Sequence, residues 1–256
     1  MNNKYIQRQE VFDYPSKKIP VVFCIDVSAS MDACKGGIPT GKTGYEDGEM
    51  WNYVTGGISI MQNLRNCVNA FHDAMLNDRK TSVSCQTAYV TFGDHVSVIE
   101  EFGLVKNKKA PTEKLIAKDN STYIVEALKM SLKMLDDQKA FLKNNSIDYF
   151  QPWLIILTDG KAHDDSDRIL EIKRELVARQ RSNKLIVYTI ALADDKEMYQ
   201  QLRGYSINKP IKYDDCNTEL TNFFKYLSKS VSGISNGKIS GNIPSYTDPD
   251  DIDILI

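Results

Sequence analysis

Three short stretches of the sequence carry oxygen-bearing side chains at positions where such side chains can meet. Asp26, Ser28 and Ser30 alternate at the end of the apolar run PVVFCIDV and just beyond it. Asp159 follows a second apolar run, WLIILT, and Thr122 lies at the start of an amphipathic segment. In an open sheet of parallel strands, ligands gather beyond the carboxyl ends of the strands. The sequence therefore predicts that these five side chains converge at one edge of a sheet.

The residue types in this set indicate a site for a hard divalent cation. Two carboxylates and three hydroxyls, with no His or Cys, favour Mg²⁺, Mn²⁺ or Ca²⁺ over zinc. Mg²⁺ takes about six oxygen ligands and keeps several waters. Neutral hydroxyls are weak ligands, so they leave the cation strongly electrophilic and one position open for an outside carboxylate. The pattern is typical of a site that docks an acidic side chain of a partner.

A phosphate-binding motif also occurs. Residues 36–43, GGIPTGKT, match the pattern G-x-x-x-x-G-K-[ST]. A working phosphate loop follows a buried strand directly and opens a helix, so that backbone N–H groups and the helix dipole hold the phosphate. Here the preceding strand is expected to end near Val27, and the residues after Thr43 are poor helix formers. We therefore expect a Gly-rich surface insertion at residues 32–57, with a nucleotide hydrolase as the alternative function.

Two His-Asp pairs stand outside this set, His72-Asp73 and His163-Asp164. His72 lies near the end of a predicted helix, and we interpret it as a partly exposed packing residue. His163 lies on a loop after a predicted strand and has no evident partner, so we interpret it as a surface residue or a histidine whose hydrogen bonds are satisfied locally. Asp164 and Asp165 are predicted to cap the helix that follows, with added negative potential near the cation as the alternative.

Catalytic patterns are incomplete in this sequence. Asp26-Val27-Ser28 resembles the start of haloacid-dehalogenase-type phosphatases, but Ser28 replaces the second acid, which handles the leaving-group proton. No serine or cysteine has the companions that a nucleophilic triad needs. We therefore expect that the chain is not an enzyme.

Strand-like and helix-like segments alternate along the chain. Strands are predicted at residues 20–27, 84–92, 95–102, 153–158, 184–192 and 211–214. Helices are predicted at residues 58–76, 123–142, 168–181, 195–203 and 217–231. Gly93-Asp94 predicts a tight two-residue hairpin loop, so the strand after it is an antiparallel edge strand. The predicted fold class is α/β, a doubly wound, mostly parallel sheet with one antiparallel edge strand and helices on both faces.

Length and composition set the expected domain organisation. The chain has 256 residues, of which 42% are apolar and 26% charged, and its formal net charge is −2. These values suit one α/β domain with extensions and lack the basic excess typical of nucleic-acid binding. We expect an N-terminal extension at residues 1–18, a domain at residues 19–232 and a flexible acidic-apolar tail at residues 233–256.

The apolar runs and the cysteines of the sequence indicate where the protein is located and whether disulfides are expected. No apolar run reaches the roughly 20 residues of a spanning helix, and the first residues lack the apolar core of a signal peptide. We therefore expect a cytoplasmic protein with neither membrane nor nucleic-acid partners. The five cysteines are widely spaced without C-x-x-C, so no disulfide framework is expected, and Cys24 and Cys85 are predicted to be core residues.

The order of these motifs resembles a known family. D-x-S-x-S after an apolar strand, a threonine at a loop-to-helix start and T-D-G after a later apolar strand resemble a von Willebrand factor A domain over residues 19–232. In that family three such segments build a metal-ion-dependent adhesion site. Its serines and threonine touch the metal, and its aspartates often act through water. The resemblance assigns these roles to Asp26, Ser28, Ser30, Thr122 and Asp159.

Two further stretches narrow the resemblance. PWLIILTDGKAHDD and NTELTNFFKYLSKSVS are similar to the TerY-like, tellurite-resistance-associated branch. This implies a metal-dependent adaptor in a bacterial stress-response or defence system, with kinase or phosphatase components among the implied partners. Two features depart from the family: Asn120-Ser121 replaces the Gly-Gly that often precedes the threonine, and the insertion at residues 32–57 is long. A domain whose cation is only structural, and which binds partners through the insertion or tail, is a further alternative.

Overall fold

The structure is a computed structural model, and it describes residue 14 and residues 16–35, 37–46, 49–193, 196–212 and 218–238. Most of the predicted N-terminal extension and of the predicted tail, and residues 213–217 with the predicted helix start at Asn217, lie outside these residues. The predicted domain boundaries remain predictions.

The six predicted strands and five predicted helices are present in the described residues, together with four strands and one helix that the sequence did not predict. The strands are β1 (Ile19–Asp26), β2 (Cys34–Lys35), β3 (Ile38–Glu46), β4 (Glu49–Thr55), β5 (Ile58–Ser59), β6 (Cys85–Phe92), β7 (Ser97–Leu104), β8 (Trp153–Thr158), β9 (Ile186–Ala191) and β10 (Ile211–Lys212). The helices are α1 (Ile60–Asn77), α2 (Arg79–Ser84), α3 (Ile124–Asn144), α4 (Ser166–Arg181), α5 (Lys196–Leu202) and α6 (Thr218–Ser235).

A six-stranded sheet forms the centre of the fold, in the order β10-β9-β8-β1-β6-β7. Its neighbouring strands are parallel, except that β7 pairs antiparallel with β6 at the edge. The chain winds outward from β1 in both directions, which places a topological switch point at β1. The predicted fold class is therefore confirmed.

Two apolar layers cover the sheet, because successive side chains of a strand point to opposite faces. Every residue of β1, β6 and β8 is buried. Phe23 packs with α1 and α6 on one face, where its ring centroid lies 5.5 Å from that of Phe71 and 6.0 Å from that of Phe224. Cys24 packs with α3 and α4 on the other face. The core thus fixes β1 rigidly at the centre of the molecule.

The cysteines agree with their predicted roles as far as they are described. Cys24 and Cys85 lie in the core, and the four described cysteines are free thiols. Burial raises the pKa of Cys67 to about 11 and that of Cys24 to about 12. Cys216 lies outside the described residues.

The turn between β6 and β7 differs from its prediction. The prediction of a two-residue loop at Gly93-Asp94 is wrong, because β7 begins only at Ser97. The N–H of Tyr123 donates to the carbonyl of Gly93 (3.1 Å), and the N–H of Asp94 donates to Asp119 Oδ2 (3.1 Å). The turn is therefore bonded to the loop that precedes α3 instead of closing a tight hairpin.

The predicted surface insertion contains a two-stranded antiparallel hairpin, β3 and β4, which the sequence reading did not include. Four of its apolar side chains are exposed: Ile38 (71%), Tyr45 (77%), Met50 (68%) and Tyr53 (58%). Most of the GGIPTGKT motif lies on β3, with an exposed Lys42, and the chain continues into β4 rather than into a helix. The motif therefore lacks the strand-loop-helix context that phosphate binding requires.

None of the helices in the described part of the chain combines the length and the apolar character needed to cross a bilayer.

A buried lysine ties the start of the domain to the end of α2. Lys18 is fully buried, and its Nζ donates to the carbonyls of Tyr14 (2.7 Å) and Val83 (3.0 Å) and to Ser16 Oγ (3.2 Å). Burial lowers the pKa of Lys18 from 10.5 to about 8. Between these two values the unfolded chain binds more protons than the folded chain, so this lysine makes folding more favourable as the pH rises.

The pH dependence of stability tests this contact. From pH 8 to pH 10, we expect the wild type to gain about 1 kcal/mol in free energy of unfolding relative to Lys18→Met, after allowance for solvent screening. Urea unfolding of both proteins across this range measures the difference. A constant difference would show that the Lys18 ammonium is not penalised by burial.

Candidate metal centre

The central strands bring two of the three motif segments together. β1 and β8 are parallel neighbours, with Ile25 opposite Leu157, so both chains leave the sheet at the same edge. Asp26 ends β1, and Asp159 follows the last residue of β8. The third segment reaches this edge because the N–H of Ala29 donates to the carbonyl of Asp119, at 2.6 Å. All three segments therefore meet at the switch point of the sheet.

Four of the five predicted ligands form one hydrogen-bonded chain. The N–H of Ser28 donates to Asp26 Oδ1 at 2.9 Å. The hydroxyls of Ser28 and Ser30 lie 3.1 Å apart, and Ser30 Oγ donates to Asp159 Oδ1 at 2.9 Å. Thr158 Oγ1 also donates to Asp26 Oδ2. These contacts hold both carboxylates and both serine hydroxyls within reach of one another.

The fifth predicted ligand, Thr122, faces the same point across Gly160. A Cβ atom added to Gly160 would lie 3.0 Å from Thr122 Oγ1 and 3.7 Å from Asp26 Oδ2. The glycine therefore leaves room for the threonine hydroxyl to approach the carboxylate of Asp26. The structure thus brings together all five side chains that the sequence singled out.

The carboxylates of Asp26 and Asp159 are both buried. Asp26 is fully buried and Asp159 is 9% exposed. Burial, followed by repulsion from Asp26, raises the pKa of Asp159 to about 7. Burial also raises the pKa of Asp26, against hydrogen bonds from Thr158 and Ser28. In the described part of the chain, no basic side chain forms an ion pair with either acid.

This donor set fits a hard divalent cation. Two ionised carboxylates buried side by side are unfavourable unless a positive charge compensates them or one of them takes up a proton. The described residues contain no group of three His, Cys, Asp or Glu side chains suited to a metal. Hydroxyl groups must therefore complete any coordination shell here, and oxygen-only shells suit Mg²⁺, Mn²⁺ or Ca²⁺.

His163 and Asp164 lie beside the site, in roles that the sequence reading missed. His163 Nδ1 accepts a hydrogen bond from the backbone N–H of Thr122 at 3.0 Å, and the backbone N–H of His163 donates to the carbonyl of Thr122 at 2.9 Å. Asp164 Oδ2 accepts from the N–H groups of Ile124 (2.7 Å) and Val125 (3.3 Å). His163 is exposed, as expected of a surface histidine, but its hydrogen bonds to the backbone of Thr122 are partners that the sequence did not show.

The prediction for the two adjacent acids is half right. Asp165 caps α4, because its side chain accepts from the N–H groups of Asp167 and Arg168. Asp164 instead caps the N-terminus of α3, through the N–H groups of Ile124 and Val125. His72 is a packing residue as predicted, but it is buried, at 4% exposed, rather than partly exposed. The H-D-D sequence at residues 163–165, two residues after T-D-G, was the available signal, but a sequence does not show which of two nearby helices an acid caps.

Comparisons with known proteins agree with this fold. The sequence model of the von Willebrand factor type A domain matches residues 21–226. A search of the curated proteins found no match. One similar solved structure is the PilB minor pilin from Streptococcus sanguinis, at 15% identity and a TM-score of 0.57, with 85% of this chain and 62% of that chain covered.

Two further structures are similar. One is the vWF domain of the type V pili tip protein Mfa5 from Porphyromonas gingivalis, at 10% identity and a TM-score of 0.53, with 90% of this chain and 99% of that chain covered. The other is proximal thread matrix protein 1 from the mussel byssus with a zinc-occupied MIDAS motif, at 16% identity and a TM-score of 0.50, with 84% and 48% covered.

These likenesses support the fold alone, because the identities are low. The chain spans about half of the mussel matrix protein and less than two thirds of the pilin. The family model, in contrast, covers most of the sequence, and its matched range includes all three segments of the site. The chain belongs to the von Willebrand factor type A domain family.

Proposed function

We propose that this domain binds a protein partner through a divalent cation held by the five oxygen-bearing side chains described above. Domains of this family are often metal-dependent protein-interaction modules. The observation that carries the proposal is the convergence of two buried, uncompensated carboxylates with three hydroxyls at the switch point of the sheet. The ligands are Asp26, Ser28, Ser30, Thr122 and Asp159.

The ligands divide into two chemical groups. Asp26 and Asp159 supply negative charge, either directly or through water, and the serine and threonine hydroxyls supply neutral oxygens. The two carboxylates at most neutralise a divalent cation, and the neutral hydroxyls are weak ligands. A bound cation therefore stays electrophilic and can accept a carboxylate of the partner at an open coordination position. We propose Mg²⁺ as this cation, with Mn²⁺ and Ca²⁺ as alternatives. The zinc-occupied MIDAS motif of the mussel matrix protein supports a divalent metal at this place in the fold.

The biological setting is also a proposal. The stretches that resemble the TerY-like branch support a cytoplasmic adaptor in a bacterial stress-response or defence system. In that setting, kinase or phosphatase components are the partners we propose. The interacting surface of such a partner would present an Asp or Glu side chain toward the cation.

Metal-dependent capture tests the proposal. The full chain is titrated with MgCl₂ and MnCl₂ in a calorimeter and then used to capture partners from source-cell lysate, with and without chelator. We expect Ser28→Ala to weaken both metal binding and capture at least tenfold, because Ser28 Oγ lies in the ligand chain. Thr43→Ala, on the exposed strand β3, is the matched control and should change neither.

Two outcomes would decide against this function. The first is an absence of metal binding by the wild type. The second is capture that survives both chelator and Ser28→Ala.

Capture that is then lost on deletion of residues 35–56 would favour the alternative in which the exposed hairpin binds the partner. Binding of ATP or GTP that depends on Lys42 would favour the nucleotide hydrolase, for which the structure offers no support.

A further inference from the structure

The loop that carries Thr122 is tied to the loop that carries Asp159. Four hydrogen bonds connect the two loops, and all of them involve His163 or Asp164. Two of them bind the backbone of Thr122, since His163 Nδ1 accepts from its N–H and the backbone N–H of His163 donates to its carbonyl. We call the pair His163 and Asp164 the loop clamp.

The loop clamp replaces a local cap at the start of α3. The residue before this helix, Tyr123, makes no side-chain capping hydrogen bond. The N–H groups of Ile124 and Val125 instead find their acceptor in Asp164, forty residues away along the chain. A carboxylate at a helix N-terminus is favourable both as a hydrogen-bond acceptor and through the helix dipole. The start of α3 is therefore stabilised by the loop that carries the other ligand.

The opposite side of the Thr122 loop is anchored as well. Asp94 Oδ2 accepts from the N–H of Asn120 at 3.2 Å, and Asp119 Oδ2 accepts from the N–H of Asp94 at 3.1 Å. Asn120-Ser121 stands where the family often has Gly-Gly, and both residues hydrogen-bond to Asp94. Thr122 thus lies between two anchored points, of which only the loop clamp connects it to Asp159.

We propose that His163 and Asp164 are positioning residues of the metal centre. They hold the Thr122 hydroxyl at a fixed place relative to Asp159 and Asp26, so that the three groups face one cation. The inference rests on the proposed function for its metal readout. The clamp itself is a property of the polypeptide and can be observed without metal.

Four variants separate positioning from general stability. His163→Ala and Asp164→Ala remove the acceptors. His163→Asn keeps an acceptor close to the place of Nδ1 and tests rescue. Asp165→Ala is the matched control, because it removes a neighbouring helix cap that serves α4 and not the Thr122 loop. We expect His163→Ala and Asp164→Ala to weaken Mg²⁺ binding by about 10- to 100-fold, with His163→Asn and Asp165→Ala close to wild type.

Hydrogen exchange of the metal-free protein gives the second readout. We expect the amides of Thr122 and Ile124 to lose protection in His163→Ala and Asp164→Ala but to keep it in Asp165→Ala. Unchanged protection in both clamp variants, or an equal loss in Asp165→Ala, would overturn the inference. If wild type binds no Mg²⁺, the proposed function fails, whereas the exchange experiment still decides whether the clamp holds the loop.

Discussion

Replacing Asp159 by asparagine is expected to stabilise the metal-free protein and to abolish its stabilisation by Mg²⁺. The carboxylate of Asp159 is buried beside that of Asp26, and this neighbourhood raises the pKa of Asp159 to about 7. A neutral amide of the same shape can still accept the hydrogen bond from Ser30 Oγ. Removal of a buried, uncompensated charge should therefore raise the free energy of unfolding by about 1–2 kcal/mol.

The same substitution removes one of two charged ligands. Wild type should gain about 2.7 kcal/mol in the presence of Mg²⁺ at a hundredfold excess over Kd, and Asp159→Asn should gain almost nothing. Urea unfolding with and without MgCl₂ measures both effects, and Asp165→Asn is the control acid outside the site. Asp159→Asn that remains stabilised by Mg²⁺ to the wild-type extent would contradict a role for Asp159 in cation binding.

Gly93→Ala is expected to damage both the fold and the site. A Cβ atom at Gly93 would lie well inside van der Waals contact with the Cβ and Oδ2 atoms of Asp119. Asp119 forms a bridge with Ser28, and the carbonyl of Gly93 accepts from the N–H of Tyr123. The neighbouring backbone must therefore shift where it supports two ligand segments. We expect a loss of about 3 kcal/mol in free energy of unfolding and at least tenfold weaker Mg²⁺ binding.

A second glycine provides the control for this prediction. A Cβ atom at Gly37 would lie 2.7 Å from Val54 Cγ2, in the hairpin insertion. Gly37→Ala therefore introduces a comparable clash away from the ligand segments and should leave Mg²⁺ binding unchanged. Thermal unfolding and calorimetry on both variants make the comparison. Wild-type Mg²⁺ affinity in Gly93→Ala would show that the Gly93–Asp119 contact does not support the site.

The parts of the fold that follow from local pattern could be predicted. β1 and β8 are continuous apolar runs that each end at an acid, and such runs are typical of central parallel strands. Once both strands are parallel neighbours, Asp26 and Asp159 must leave the sheet at one edge. The alternation of strands and helices indicates a parallel sheet, and a parallel sheet brings these two acids to the same edge. The convergence of Asp26 and Asp159 could therefore be predicted from the sequence.

The missed parts depend on partners distant in the sequence. β3 contains Pro39, Gly41 and Gly44, which are typical of turns, and it forms a strand only by pairing with β4 across an irregular register. Asp164 caps a helix that begins forty residues earlier, although α4 begins two residues later. In both cases the tertiary contact outweighs the local preference, so no reading of neighbouring residues could have shown it.

The position of β1 between β6 and β8 has a consequence for the route by which the chain folds. Val21 pairs with both Thr87 and Trp153, so β1 joins its neighbours only after two long loops have closed. Such closures carry a large entropy cost and are slow. The proposed cation ligands Asp26 and Asp159 come together only when β8 has paired with β1. A chain in which only β1 and β6 have paired therefore offers the cation an incomplete coordination shell. Binding of the cation would therefore lengthen the lifetime of the native state without shortening the time needed to reach it.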